Sequence, residues 1–393
     1  MTGSLLVLFG LLAQQPLYES ELIFPPQPLH NHGSGIVETP EGDLLTCWFN
    51  GTGERKNDDV QILGARKRKG ATEWSAPFPM ADTPNLPDCN PVIFIDPRGT
   101  LWLFWITVQD NEWGGSLLKY RRSTSYSKDG PPKWEWQDVI HCRPTDLDPI
   151  YFDALAEAEV IFADHLAKYE GLRNDIAALK SRGKEKLTQR LGWMTRLHPI
   201  MLSDSRMMLG LYSDVYSCSL AAFSDNWGET WTFSKPIVSA EIGNIQPAFV
   251  QKKDGGIVAF MRDNGPPQKI RRALSTDGGM SWGPVEKMEI PNPGSSVECI
   301  SLANGNWVLL CNDAEDGRHI VTAYLSDDEG ATWKWSRRLE NFEKDQGSGA
   351  YPAMIQAKDG SIHCTYSYKS KALTLPDGKE PSTIKHVRFD EAW

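Results

Sequence analysis

Three tryptophans, Trp231, Trp282 and Trp333, stand 51 residues apart, and each closes the same eight-residue phrase. The phrases run Ser224 to Trp231, Ser275 to Trp282 and Ser326 to Trp333, in the pattern S-x-D-x-G-x-S/T-W, with Asn226 in place of Asp in the first. Weaker echoes end at Trp134, after Ser127, Asp129 and Gly130, and at Trp74, after Gly70 and Thr72. Each phrase reads as a turn. The Asp or Asn side chain hydrogen-bonds its own backbone, the Gly takes a positive φ and the Trp packs beneath. Turns of this kind shape a repeat and carry no chemistry themselves.

A second repeat interleaves with the first. Turns at Thr39 to Asp43, Asp96 to Gly99, Ser203 to Ser205, Lys253 to Gly255, Ala303 to Gly305 and Lys358 to Gly360 each feed an apolar strand. Six short strand groups at a period of ~50 residues predict an all-β, six-bladed β-propeller with four strands per blade. Such a ring closes by pairing its termini, so residues 21–393 are expected to form one domain. The period breaks once. The 97 residues between Trp134 and Trp231 exceed it by 46, and 148–192 fill the excess with a helical pattern: Leu155, Ala158, Phe162, Leu166 and Tyr169. Asp148 and Pro149 read as a helix start, and Gly171 and Gly183 as breaks. The insertion is expected to be a helical hairpin serving as a lid, a homo-oligomer contact or a flank packed on a blade.

Composition excludes several classes. With 41 Lys plus Arg against 51 Asp plus Glu, the net charge of −10 argues against a binder of duplex nucleic acid. It leaves room for an anionic sugar held by a local arginine cluster. The seven cysteines form no CxxC pair, so a zinc or thioredoxin reading has no support, and an odd count argues against a full disulfide framework; the chemistry considered below implies no metal or organic cofactor. No run of 18 apolar residues predicts a membrane span. Ser4 to Ala13 reads as the apolar stretch of a signal peptide, although no Lys or Arg precedes it. Residues 1–20 are therefore either an export signal, giving a secreted or periplasmic protein, or a first strand in a cytoplasmic one.

Aligning the units on their turn glycines brings out the candidate site. Asn90-Pro91, Gln246-Pro247 and Tyr351-Pro352 each place Pro eight residues before the glycine, and His198-Pro199 holds the corresponding place in a fourth unit. In the two units without Pro the nearby polar residues are His32 and Glu298. Innermost propeller strands run along one axis, so these six residues are expected to ring a single pocket.

The repeated turns are those of the Asp-box, or BNR, proteins, and the order of segments resembles the sialidase superfamily. By that resemblance Arg262 and Arg318 match two arginines of a carboxylate-binding triad. Tyr351 matches the catalytic tyrosine, and Asp58 or Asp59 the acid/base aspartate. Two positions depart from it: His32 stands where the first triad arginine belongs, and neutral Gln246 where a glutamate polarises the tyrosine. The resemblance implies a sialidase-like exo-glycosidase acting on terminal, acidic sugars. Tyr351 would be the nucleophile, Asp59 the acid, and Glu298 or His198 the acceptor of the tyrosine proton. Arg262, Arg318, Asn90, Gln246 and Asp58 would bind the carbohydrate. Two readings compete: a uronate lyase working by β-elimination with His32, His198 and Tyr351, and a non-catalytic sugar-binding propeller.

Overall fold

The computed structural model describes residues 15–202, 205–265, 268–375, 378 and 380–393. Six antiparallel sheets follow one another along the chain. Blade 1 comprises His30–Glu38, Leu44–Gly51, Gln61–Lys67 and Phe78–Ala81, and blade 2 Asp88–Ile95, Leu101–Val108, Ser116–Ser123 and Trp136–Val139. In blade 3, Met194–Thr195 and Ile200–Met201 both pair with Met207–Ser213, followed by Cys218–Ser224 and Thr232–Phe233. Blade 4 is Asn244–Gln251, Ile257–Asp263, Lys269–Ser275 and Glu286–Pro291; blade 5 is Glu298–Ser301, Trp307–Cys311, Ile320–Ser326 and Trp335–Asn341. Blade 6 takes Gly347–Gln356, Ile362–Ser370 and Thr383–Phe389, and its outermost strand is Tyr18–Leu22 from the opposite end of the chain. The innermost strands pack on one another around a closed ring, blade 6 meeting blade 1.

Blade packing explains the apolar runs. The second strands LLTCWFNG and LWLFWITV are buried throughout, because a sheet covered on both faces needs no polar alternation. All seven cysteines are free and buried. Burial alone raises the Cys142 and Cys218 thiols, which favours small apolar packing groups over nucleophiles.

The Asp-box turns share one hydrogen-bond plan. Gly279 N–H donates to Ser275 Oγ at 2.9 Å and Ser281 N–H to Asp277 Oδ1 at 2.9 Å; Gly330 and Thr332 repeat this with Ser326 and Asp328 at 2.9 and 2.8 Å. In the first copy the amide of Asn226 substitutes, accepting from Thr230 N–H at 2.9 Å. The box glycine lies against a large side chain: a Cβ on Gly228 would stand 2.7 Å from the Trp102 ring, and one on Gly279 2.9 Å from Met208.

The insertion is three helices: α1 (Leu147–Ile161), α2 (Ala163–Lys168) and α3 (Glu170–Arg182). Their limits correct the sequence reading. Asp146, not Asp148, precedes the first helix; Phe162 and Tyr169 are the breaks; Gly171 lies inside α3, and Gly183 follows its end. Leu147, Tyr151, Leu155 and Ala158 of α1 are buried, and Tyr151 packs edge-on to Tyr216 of blade 3 at 4.9 Å. The N-terminal expectation divides: residues 1–14 lie outside the described residues, whereas Tyr18–Leu22 is a strand. The turn expected at Ser203 to Ser205 is described only at Ser205, whose φ is 68°. Among the described residues no helix is long and apolar enough to cross a membrane.

Candidate active site

A backbone irregularity shared by four blades builds the site. The innermost strand skips two residues in its pairing between His32 and Gly35, Cys89 and Val92, Ile245 and Ala248, and Ala350 and Ala353. The first skipped residue has positive φ each time: Gly33 63°, Asn90 50°, Gln246 57° and Tyr351 58°. In three blades the second is a proline, which has no N–H to lose from the ladder. A bulge re-aims its side chain, here at the ring axis. The blade 1 counterpart of Asn90, Gln246 and Tyr351 is thus Gly33, and His32 precedes it by one residue. Blades 3 and 5 lack this bulge. His198 lies in the Arg196–Pro199 excursion between two short strands, and Glu298 opens its strand directly.

Tyr351 is the hub. Arg262 Nη1 donates to its hydroxyl oxygen at 2.7 Å, and Gln246 Nε2 approaches the same oxygen at 3.4 Å. The Arg318 guanidinium stands 5.1 Å from the ring centre, and the fully buried Arg196 guanidinium 5.0 Å. The His32 ring is 4.1 Å away, with Nδ1 2.7 Å from Ser367 Oγ. Burial raises the phenol's pKa, but Arg262, Arg318 and the Gln246 amide outweigh it, leaving the group below its ordinary value. Burial, then the charges of His30, Arg318 and Arg196, hold His32 far below the usual imidazole range, so it is neutral.

The other predicted residues fall into three groups. Asn90 Nδ2 donates to Tyr212 Oη at 3.0 Å, beside Gln246. His198 Nδ1 and Glu298 Oε2 pair at 3.1 Å, and Glu298 Oε1 accepts the Cys299 N–H at 3.0 Å. Burial lowers the His198 pKa, but the Glu298 charge and hydrogen bond reverse this and raise it. Both residues are occupied with each other, and the hydrogen bonds of Tyr351 Oη run to blade 4 instead. Asp58 and Asp59 are exposed in the loop after Gly51. Asp59 accepts from Thr52 N–H and Oγ at 3.1 and 2.8 Å, and Asp58 from Asn111 at 2.9 Å. Their carboxylates fasten the loop.

Four residues escaped the sequence reading. Arg196 donates to the Ser34 and Pro352 carbonyls at 3.2 and 3.1 Å, tying blades 1 and 6 beneath the tyrosine. Tyr212 brings a second phenol beside Gln246. Glu54, in the Asp58 loop, lies 3.2 Å from His30 Nε2. Burial raises its pKa, and His30, Arg55 and Arg318 bring it below the ordinary value. Asp214 lies between the second and third strands of blade 3. Burial raises its carboxyl, with Arg262 and Arg55 opposing and Glu54 adding to the rise. No motif marks any of them, although Glu54 is only four residues from Asp58.

An arginine-flanked tyrosine at the axis of a six-bladed, Asp-box propeller defines a sialidase-like, carbohydrate-active class of fold. The chain belongs to the BNR repeat-like domain family, whose model matches residues 42–164 and 184–364. It is 26% identical over 186 residues to a sialidase of Micromonospora viridifaciens, covering 44% of this chain and 26% of that protein. The match thus spans about a quarter of the curated relative. Among solved structures, the NanB sialidase from Streptococcus pneumoniae superposes with TM-score 0.67 at 12% identity, covering 95% of this chain and 70% of that one. An α-L-arabinanase of Penicillium chrysogenum superposes with TM-score 0.55 at 12% identity, covering 95% and 98%. These structural likenesses concern the fold.

Proposed function

We propose that this protein is an exo-glycosidase of sialidase type that removes terminal acidic sugars with retention of configuration, using Tyr351 as nucleophile. The observation that carries the reading is the Tyr351 hydroxyl, held 2.7 Å from Arg262 Nη1. The carboxylate of the sugar would lie between Arg262 and Arg318. The Arg318 guanidinium donates to Gly294 O at 3.2 Å, and a Cβ on Gly294 would stand 3.8 Å from Arg262 Nη2, so both cations face one backbone corner. A tyrosine in place of a carboxylate nucleophile suits an anomeric carbon that itself bears a carboxylate.

Two carboxyl groups with opposite shifts supply the acid. Asp214, raised by burial, is the proton donor to the leaving oxygen, and Glu54, lowered through His30 and the arginines, stays ionised. This assignment replaces Asp59, whose carboxylate is bonded to Thr52. Arg196, held by the Ser34 and Pro352 carbonyls, supports the tyrosine ring from one face, and Glu298 pairs with His198. Export would bring the enzyme to extracellular glycans.

A panel of aryl glycosides of sialic acids, uronic acids and neutral sugars tests the reading. Release of the aryl group from acidic glycosides supports it. An unsaturated uronate product would instead establish β-elimination, and binding without turnover a carbohydrate-binding propeller.

A further inference from the structure

Gln246 and Tyr351 occupy the same bulge position in blades 4 and 6, and both side chains enter the axis by the same left-handed backbone turn. Among the described residues, the hydrogen-bond partners of Tyr351 Oη are Arg262 Nη1 at 2.7 Å and Gln246 Nε2 at 3.4 Å, and both are N–H donors. A phenol oxygen that accepts twice still has a proton to place, whereas a phenolate has none. The carboxylates of the site lie off the phenol oxygen: Glu298 pairs with His198, Glu54 with His30, and Asp214 acts on Arg262 and Tyr212. The amide turns its nitrogen to the Tyr351 oxygen, and Gln246 Oε1 is buried without a donor.

We infer that Tyr351 works as an arginine-held phenolate, with Arg262 and Gln246 as the positioning residues that take over the task of a partner carboxylate. The inference rests on the glycosidase reading for its chemical use but not for its test. The charged groups around the ring come from several elements, with Asp214 behind Arg262 and Tyr212, and Glu298, paired with His198, behind Arg196. Arg262 comes from blade 4, Arg318 from the loop before Ile320–Ser326, and Arg196 from blade 3. His32 stays neutral, Tyr212 lies across Gln246, and Glu54 opposes them from the blade 1 loop. The direction of the Tyr351 shift agrees.

The first step then needs no base. The phenolate oxygen forms a bond to the anomeric carbon while that carbon's bond to the leaving oxygen breaks, and the leaving oxygen takes the Asp214 proton. In the second step water attacks the same carbon, its proton passes to the Asp214 carboxylate, and the phenolate departs. Atoms and charge return to the starting state.

The test is a pH titration of the intact protein labelled with carbon-13 at tyrosine Cζ, a nucleus whose resonance moves on ionisation. The chain has 11 tyrosines. One resonance should change at lower pH than the others, and it should be missing from folded Tyr351→Phe. Arg262→Gln should move that transition up toward the ordinary tyrosine value of ~10. Gln246→Glu, which puts a carboxylate beside the oxygen, should also move it up. If Tyr351 titrates with the other tyrosines, or if Gln246→Glu lowers its transition, the phenolate is excluded. The wild-type titration decides the matter even if a variant does not fold. Glycosidase activity without a phenolate would retain the function and discard this inference; a phenolate without turnover would do the reverse.

Discussion

A tyrosine with φ of 58° pays for its conformation, since the left-handed region costs an ordinary L-residue roughly 1–2 kcal/mol. Three non-glycine residues accept that cost at equivalent bulges, and all three side chains reach the axial cluster, as expected when strain serves a site. Tyr351→Phe keeps the ring stacking and deletes only the hydroxyl. Turnover should fall to background while affinity for the bound sugar changes little, read as kcat against ligand Kd; retained turnover in the folded variant would remove the nucleophile. The pH profile follows from the two opposed groups. Turnover needs Tyr351 ionised and Asp214 protonated, so activity should fall in both acid and alkali, with limbs set by one lowered and one raised pKa. Asp214→Asn should abolish the alkaline limb, and should slow glycosides with poor leaving groups far more than activated aryl glycosides. An unchanged alkaline limb would assign the acid to another group. Tyr351, Gln246 and Asn90 were legible because each precedes a proline at a fixed distance from a turn glycine. Arg196, Tyr212, Glu54 and Asp214 were not, because they reach the axis from loops and second strands with no repeating spacing.

At the scale of elements, the Asp-box separates two glycines that the sequence places side by side. Gly278 and Gly279 both have positive φ, 73° and 86°. A Cβ on Gly278 meets nothing within 4 Å, whereas one on Gly279 would lie 2.9 Å from Met208 and 3.0 Å from Phe223. Gly278→Ala should therefore cost only the backbone strain, about 1–2 kcal/mol. Gly279→Ala should add an overpacking cost of about 1–3 kcal/mol, measured by urea unfolding. Equal losses would mean that the blade interface relaxes around the added methyl. The turns and the six-fold repeat were legible because hydrogen bonding inside a turn is local in sequence. The helix limits were misread because α1 is held by tertiary contacts, Tyr151 against Tyr216 and Leu155 in the core, rather than by its own end signals. That packing places the insertion behind the Asp214 loop. Val215 lines an apolar groove of about 610 Å³ with Leu155 and Ile176, and Tyr216 donates to Gly183 O at 2.8 Å.

The ring as a whole depends on one seam, where Tyr18–Leu22 completes blade 6 beside blade 1. Glu21 Oε1 accepts from Lys67 at 2.6 Å and Trp74 at 2.9 Å, both in blade 1, and pairs with His386 Nδ1 at 2.9 Å. His386 Nε2 in turn meets His363 Nδ1 at 2.9 Å, beside a cavity of about 490 Å³ that Arg388 and Asp359 also line. Burial, with His386 and Arg388 adding, depresses His363 from 6.5 to about 3. Burial raises Glu21, but the bonds from His386, Lys67 and Trp74 overcome this and bring it to about 2. A depressed folded pKa gives stability that is complete above the unfolded value and is lost as pH falls through the folded one. The seam should therefore weaken from about pH 6.5 downward, first through His363 and then through Glu21. His363→Gln should reduce the loss of stability between pH 7 and pH 4; an equal loss in wild type and variant would place the acid sensitivity elsewhere. None of this was visible in the sequence, because Glu21 and His386 meet only when the two ends of the chain share a sheet.

Trapping the glycosyl-enzyme tests the account most directly. An acidic glycosyl fluoride with a second fluorine beside the anomeric carbon forms such an adduct quickly and releases it slowly. After digestion, mass spectrometry should find one glycosyl group on the peptide carrying Tyr351, and none on that peptide in folded Tyr351→Phe. Turnover of the same sugar with the label on another residue, or with inverted product and no label, would contradict the assignment of Tyr351 as the nucleophile.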